Sequence, residues 1–248
     1  MKLRKVLLSG VIAVILPFVA GRAQATECLD VALVLAVDAS ASVSQKEFAL
    51  QQKGIVQAFR DPAVLDAISL AGRVSVAVIF WGSEGLPKQQ SGWVVVDDPT
   101  GAERFARRVE SMPRLATGDT GLGAGLMAAL EKFDILEECV IRKVVNVSGD
   151  GEETRVFRRM RVSPAPTQVR AIAESQNVEI NALAISNEEA GLAEYYASNV
   201  ITGPDAFVMQ VSTYEDFSYA LRRKLIREIS PRAVTERSGG DGRSFRLN

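Results

Sequence analysis

The sequence predicts one α/β domain built on a mostly parallel sheet. Three observations predict it. Short apolar, β-branched runs recur along the chain, amphipathic helical stretches separate them, and the first run is apolar without a break. An unbroken run such as Val31–Val37 marks a strand covered on both faces, which is the habit of parallel sheets. Alternation of the two element types gives an α/β arrangement.

The elements follow in order. After the strand at Val31–Val37, Gln45–Phe59 has helical spacing, with Phe48, Ile55, Val56 and Phe59 on its apolar side and Ser44 as N-cap. Pro62 stops or redirects that helix, and a short helical turn follows at Val64–Ile68. Arg73–Trp81 and Gly92–Val96 read as strands two and three. The short loop Gly82–Ser91 between them suggests a hairpin. Helices are expected at 100–111 and 121–135, the latter turning Leu122, Leu126, Leu130 and Phe133 inward. Strand four is Ile141–Val147, followed by a basic loop, Arg155–Ser163. Pro164 and Pro166 introduce a helix ending near Ser175. Val178–Ile185 and Ala206–Val211 are strands five and six, with a helix around Glu188–Ser198 between them. Tyr214–Ile229 is a closing helix with Phe217, Leu221, Leu225 and Ile229 in phase.

Both ends read differently. Lys2, Arg4 and Lys5 precede the apolar run Val6–Ala20, and Ala23-Gln24-Ala25 offers a small-x-small cleavage site, the order of a secretory signal peptide removed after Ala25. The apolar run is short for crossing about 30 Å of hydrocarbon. Residues 231–248, rich in Arg, Ser and Gly, read as a flexible tail.

Composition narrows the chemistry. Removing residues 1–25 takes four basic side chains and leaves a formal charge of −5, poorly suited to nucleic acid. The chain has no histidine, which excludes Ser-His and Cys-His catalysis and His-ligated zinc. A metal would need oxygen donors, as magnesium, calcium and manganese prefer. Cys28 and Cys139 are either a disulfide suited to an exported protein or two buried thiols.

Three segments carry oxygen donors. The first strand ends in Asp38-Ala-Ser40-Ala-Ser42, where alternate residues can point to one side. Gly118-Asp-Thr120-Gly-Leu-Gly opens a helix, and Val147-Ser-Gly-Asp150-Gly places a second carboxylate after strand four. Separately, the first could be a turn or cap and the second a phosphate loop, although it lacks Gly-Lys-Ser/Thr.

Taken together in this order, the three motifs resemble the von Willebrand factor A (VWA) and integrin I-type family and its metal-ion-dependent adhesion site. The resemblance covers about residues 28–230. Val-Ser-Gly-Asp-Gly, Glu179-Ile-Asn-Ala-Leu-Ala-Ile185 and Gly203-Pro-Asp-Ala-Phe-Val208 are similar to a group of bacterial exported VWA proteins. It implies a three-layer, doubly wound sheet of six strands in the order 3-2-1-4-5-6, strand 3 antiparallel. It also implies a divalent cation, magnesium first and manganese or calcium as alternatives, held by Asp38, Ser40, Ser42, Thr120 and Asp150. The implied partner is a protein presenting Asp or Glu to the metal. Ala41 departs from the glycine common in the family, and Asp119, Gly121 and Glu152-Glu153 depart around the later motifs.

The implied strand order makes strands one and four parallel neighbours, so Cys28 and Cys139 fall at the edge opposite Asp38 and Asp150, within reach of a disulfide. Trp81 either rims the site or packs beneath it. Asp119 stands beside Thr120, and Arg155, Arg158 and Arg159 form either a solvated loop or a surface for an anionic partner. Catalysis is the weaker reading, because residue 40 is Ser where a haloacid-dehalogenase-type phosphatase needs a second Asp. A serine nucleophile would have no histidine base. The third reading is an assembly subunit with a vestigial metal site. The expected location is the periplasm or the extracellular space.

Overall fold

The computed structural model describes residues 28–154, 164–186 and 189–231. The elements, in chain order, are β1 (Leu29–Asp38), α1 (Gln45–Ala58), α2 (Pro62–Ala71), β2 (Val74–Trp81), β3 (Gln89–Gln90), β4 (Val94–Val95), α3 (Pro99–Glu110), α4 (Leu122–Asp134), β5 (Val140–Gly149), α5 (Pro166–Ser175), β6 (Val178–Ile185), α6 (Leu192–Asn199), β7 (Val208–Val211) and α7 (Phe217–Ile229). They form one sheet ordered β3-β2-β1-β5-β6-β7, with β4 also paired to β2. β1, β2, β5, β6 and β7 are parallel, and β3 and β4 run antiparallel to β2.

The sheet divides two cores, as unbroken apolar strands require. Val31, Leu33, Leu35 and Val37 of β1 face α1, α2, α3 and α7, while Ala32, Val34 and Ala36 face α4, α5 and α6. The expected three layers and strand order are present. One expectation is corrected: the third strand is two short pieces, so the sheet has seven strands. Gln89 and Gln90 pair with Phe80 and Ile79, whereas Val94 and Val95 pair with Val76 and Ser75, an offset of one extra residue on the outer strand. That residue lies in a β-bulge. Ser91 N donates to Val78 O at 2.9 Å and Ser91 Oγ accepts from Val78 N at 3.0 Å, so a side chain replaces one rung of the ladder. A bulge also blunts an edge that would otherwise invite strand addition.

Side-chain caps from Ser44, Asp61 and Asp98 start the first three helices. Ser44 and Glu47 form a reciprocal capping box at α1. Pro62 does end α1's register, but it opens a full helix, not a short turn: Asp61 accepts from Ala63 N and Pro62 occupies the first turn, where a missing N–H costs nothing. The closing helix begins one turn later than expected, because Tyr214–Asp216 is a 3-10 turn.

Cys28 and Cys139 are bonded, with Cα atoms 4.7 Å apart. They immediately precede the paired residues Leu29 and Val140, at the amino edge of β1 and β5. A second tie is polar. Lys224 and Glu228 of α7 are fully buried and form an ion pair at 2.6 Å. Glu228 also accepts from Asn146 of β5, and Lys224 donates to the Asn181 carbonyl of β6. Burial pulls Lys224 down to about 8 and pushes Glu228 up, each opposed by its partner.

Two outcomes are expected on stability. Replacing both Cys28 and Cys139 by Ser should lower unfolding free energy in urea by about 2–5 kcal/mol, since the bond closes a long loop. Lys224→Met alone should cost about 3–5 kcal/mol by stranding Glu228. Lys224→Met combined with Glu228→Gln should recover most of that loss. Equal melting of the single and double variants would show that the pair does not act as a unit.

Candidate metal centre

The site lies where the chain order reverses, between β1 and β5, at the carboxyl end of the sheet. β1 delivers Asp38 as its last residue. Val37 pairs with Ser148, so β5 brings Asp150 to the same edge one residue beyond its end. The loop after β1 folds back on Asp38, whose Oδ1 accepts from Ser40 N at 2.7 Å. Ser40 Oγ lies 3.1 Å from Ser42 Oγ, and Ser42 Oγ donates to Asp150 Oδ1 at 2.8 Å. Four of the five expected donors thus form one continuous chain, Asp38–Ser40–Ser42–Asp150.

Thr120 arrives on the glycine-rich loop. Gly118 O accepts from Ala41 N at 2.7 Å, Thr120 O accepts from Thr154 N at 2.9 Å, and Thr120 N donates to Thr154 Oγ1 at 3.2 Å. A methyl group placed at Gly151 would sit 3.6 Å from Thr120 Oγ1, so this hydroxyl borders the Asp150–Gly151 turn. The glycines let backbone meet backbone. A Cβ at Gly121 would lie 2.6 Å from Gly82 O and 2.7 Å from Glu84 N, closer than any side chain tolerates. Gly118 has φ +86°, a left-handed conformation that disfavours side chains. Ser83 completes this docking: its N donates to Thr117 O, and its Oγ accepts from Asp119 N at 2.7 Å.

Asp38, Ser40, Thr120 and Asp150 are buried, and Ser42 is exposed. Asp38 Oδ2 has no hydrogen-bond partner among the described residues. Burial first, and then the nearby Asp150 charge, push the Asp38 carboxyl up to about 7. Two buried phenols lie close by. Tyr196 donates to Gly151 O at 3.1 Å, and burial followed by the two aspartates raises both it and Tyr214, so both stay protonated. The donor set is therefore two carboxylates and three hydroxyls. Among the described residues no three Asp, Glu, Cys or His side chains converge, so the side-chain oxygens available beside the two carboxylates are hydroxyls.

The flanking expectations divide. Trp81 is in register with Asp38 but fully buried, its indole against Gly125 of α4. It packs beneath the site and offers no rim. Asp119 is exposed next to Thr120. Arg155, Arg158 and Arg159 lie outside the described residues. Glu153, one of the departures from the family pattern, turns away to accept from Gly123 N at the start of α4. Glu152 N donates to Glu189 Oε2, which anchors the turn after Asp150. Two residues that no sequence motif marks also hold the loop: the Gln51 amide donates to Asp38 O, and Arg114 donates to Ser40 O. Both contact backbone carbonyls, and such contacts leave no residue pattern.

The fold is that of VWA domains. It matches proximal thread matrix protein 1 from the mussel byssus, in a structure whose MIDAS motif is occupied by zinc, at TM-score 0.58 and 16 % identity over 82 % of this chain and 46 % of that one. It also matches the pilus adhesin SpaC from Lactobacillus rhamnosus GG (TM-score 0.57, 15 % identity, 80 % of this chain, 30 % of that one). A von Willebrand factor type A protein from Catenulispora acidiphila matches at TM-score 0.52 and 15 % identity, over 82 % and 43 % of the two chains. This chain spans less than half the length of each, and at these identities the likeness is one of fold alone. No curated protein matches the chain in sequence. The model of a family described as "Protein of unknown function (DUF1194)" matches residues 27–233, and the chain therefore belongs to that family, on a VWA fold.

Proposed function

We propose that Asp38, Ser40, Ser42, Thr120 and Asp150 hold a divalent cation, and that the domain uses it to bind a protein partner through an Asp or Glu. The supporting observation is Asp38 itself: a fully buried carboxylate beside a second carboxylate, with one oxygen unpartnered among the described residues. Two like charges away from water are unfavourable unless a cation joins them. The residues fit such an ion, since every donor is oxygen, the preference of magnesium and also of manganese and calcium. When bound, the cation would supply an open coordination position for the partner's carboxylate.

The chain's own residues do the rest. Ser42 links its own loop to Asp150, the Gly118–Gly121 loop presents Thr120, and Trp81 keeps water from the underside. This is binding chemistry, with neither a histidine base nor a carboxylate at position 40 to support turnover. The disulfide and the basic-then-apolar start of the chain favour export to the periplasm or beyond, with residues 26–230 as the working domain and 231–248 as a tail. No helix among the described residues is long and apolar enough to cross a membrane.

The test is thermal unfolding of residues 26–248 in EDTA and in millimolar magnesium, manganese or calcium. At 100 times its dissociation constant a cation should stabilise by about 2.7 kcal/mol, a shift of roughly 5–10 °C. Asp38→Ala should abolish it. No shift with any cation would turn the reading toward an assembly subunit with a vestigial site.

A second outcome follows from charge. Because the folded carboxyl of Asp38 is raised, the native state keeps a proton that the unfolded chain has lost between about pH 4 and pH 7. In EDTA, wild-type stability should therefore fall relative to Asp38→Asn as pH rises through that window, by up to about 4 kcal/mol. Urea unfolding at pH 4, 5.5, 7 and 8 measures it, and a pH-independent difference would contradict the burial cost.

A further inference from the structure

The loop Ala39–Ser44 carries two of the five donors, yet it is neither strand nor helix and contains no glycine. Part of its order comes from neighbours. Ala39 N donates to Trp81 O, Ala41 N to Gly118 O, and Val43 N to Ser40 O. The carbonyls of Ala39, Ser40 and Val43 need another explanation, because all three turn toward one point. Arg114 Nη2 occupies it, at 3.1, 2.8 and 2.6 Å respectively.

Three carbonyl dipoles aimed at a common centre repel one another unless a positive donor sits there. A guanidinium is such a donor, and bonds from a charged group are stronger than neutral ones. Arg114 is itself well placed. It is half-buried, and its guanidinium carbon lies 5.6 Å from the centre of the Phe48 ring. Phe48 packs on Phe80 with centroids 4.9 Å apart. Gln52 of α1 donates to Val109 O and Met112 O, tying the segment before Arg114 to the same helix. The direction of the arginine is thus fixed by α1 and β2.

We propose that Arg114 is a positioning residue: its guanidinium clamps the carbonyls of Ala39, Ser40 and Val43 and so orders Ser40 and Ser42 as cation donors. The proposal rests on the metal-binding reading of the site. Arg114 acts through the loop backbone and is not itself a ligand. It also makes a prediction of opposite sign to simple electrostatics. Removing a positive charge beside a cation site should strengthen cation binding by Coulomb's law, whereas loss of the clamp should weaken it.

The experiment uses the purified protein, wild type, Arg114→Met and Arg114→Lys. Manganese is titrated with free Mn²⁺ followed by electron paramagnetic resonance, and amide exchange of residues 39–43 is measured in EDTA. Arg114→Met is expected to weaken manganese binding about 10-fold or more, the usual cost of losing an outer-shell partner. It should also speed exchange in the loop while β1 and β5 stay protected. Arg114→Lys keeps a charged donor and should restore much of both. Unchanged or tighter manganese binding in Arg114→Met overturns the proposal, as does equal loss in Arg114→Lys. If wild type binds no manganese, the metal reading fails. Loop exchange then still decides the clamp: faster exchange in Arg114→Met supports it, and unchanged exchange overturns it.

Discussion

The parallel pairing of β1 with β5 is the constraint on which the rest of the molecule depends. Its register, Leu29 opposite Val140 through Val37 opposite Ser148, places the cysteines together at one end and the aspartates together at the other. A slip of one residue would turn every side chain of β1 to the wrong core and separate both pairs at once. Large side chains of β1 on one face and mostly alanines on the other fix that register from both sides.

On this frame the site is assembled mainly from backbone. The loops after β1, after β2 and before α4 interlock through Ala39–Trp81, Ala41–Gly118 and Ser83–Thr117 bonds, and glycine is required where two of them touch. Side chains then do specific tasks. Ser83 and Glu153 accept backbone N–H groups, Gln51 and Arg114 donate to carbonyls, and four of the five expected donors are linked to one another while Thr120 borders the Asp150–Gly151 turn. The arrangement holds two carboxylates in a poorly solvated place, where burial and the neighbouring charge push the Asp38 carboxyl up.

Much of this was legible in the sequence, for physical reasons that also mark where legibility ends. A strand buried on both faces can be an unbroken apolar run, as Val31–Val37 of β1 is. β2, β5 and β6 are β-branched runs interrupted by polar residues such as Ser75, Asn146 and Asn181 that still stand out between helical stretches. Oxygen-bearing residues at strand ends and in a glycine-rich loop stand out as three motifs, and the resemblance to the VWA family singles out Asp38, Ser40, Ser42, Thr120 and Asp150 among them as expected donors. The bulge at Ser91 does not stand out, because it depends on which residues of β2 lie opposite. Sequence alone leaves Trp81 either at the rim or beneath the site, and the close approach of Gly125 on α4 places it beneath. Arg114 looks like any surface arginine in sequence, and only the convergence of three carbonyls distinguishes it.

The disulfide also bears on survival of proteolysis. Cys28 and Cys139 enclose 111 residues of sequence separation, a span that contains Asp38, Ser40, Ser42 and Thr120 and every connection among β1, β2 and α4. Exposed loop tips such as those carrying Leu86 and Leu115 are where proteases cut. A single cut at either tip divides the peptide between the Asp38 and Thr120 segments, yet both pieces remain covalently joined through sulfur. A nicked molecule therefore keeps its halves at high local concentration, and the carboxyl-edge arrangement outlasts the continuity of the chain.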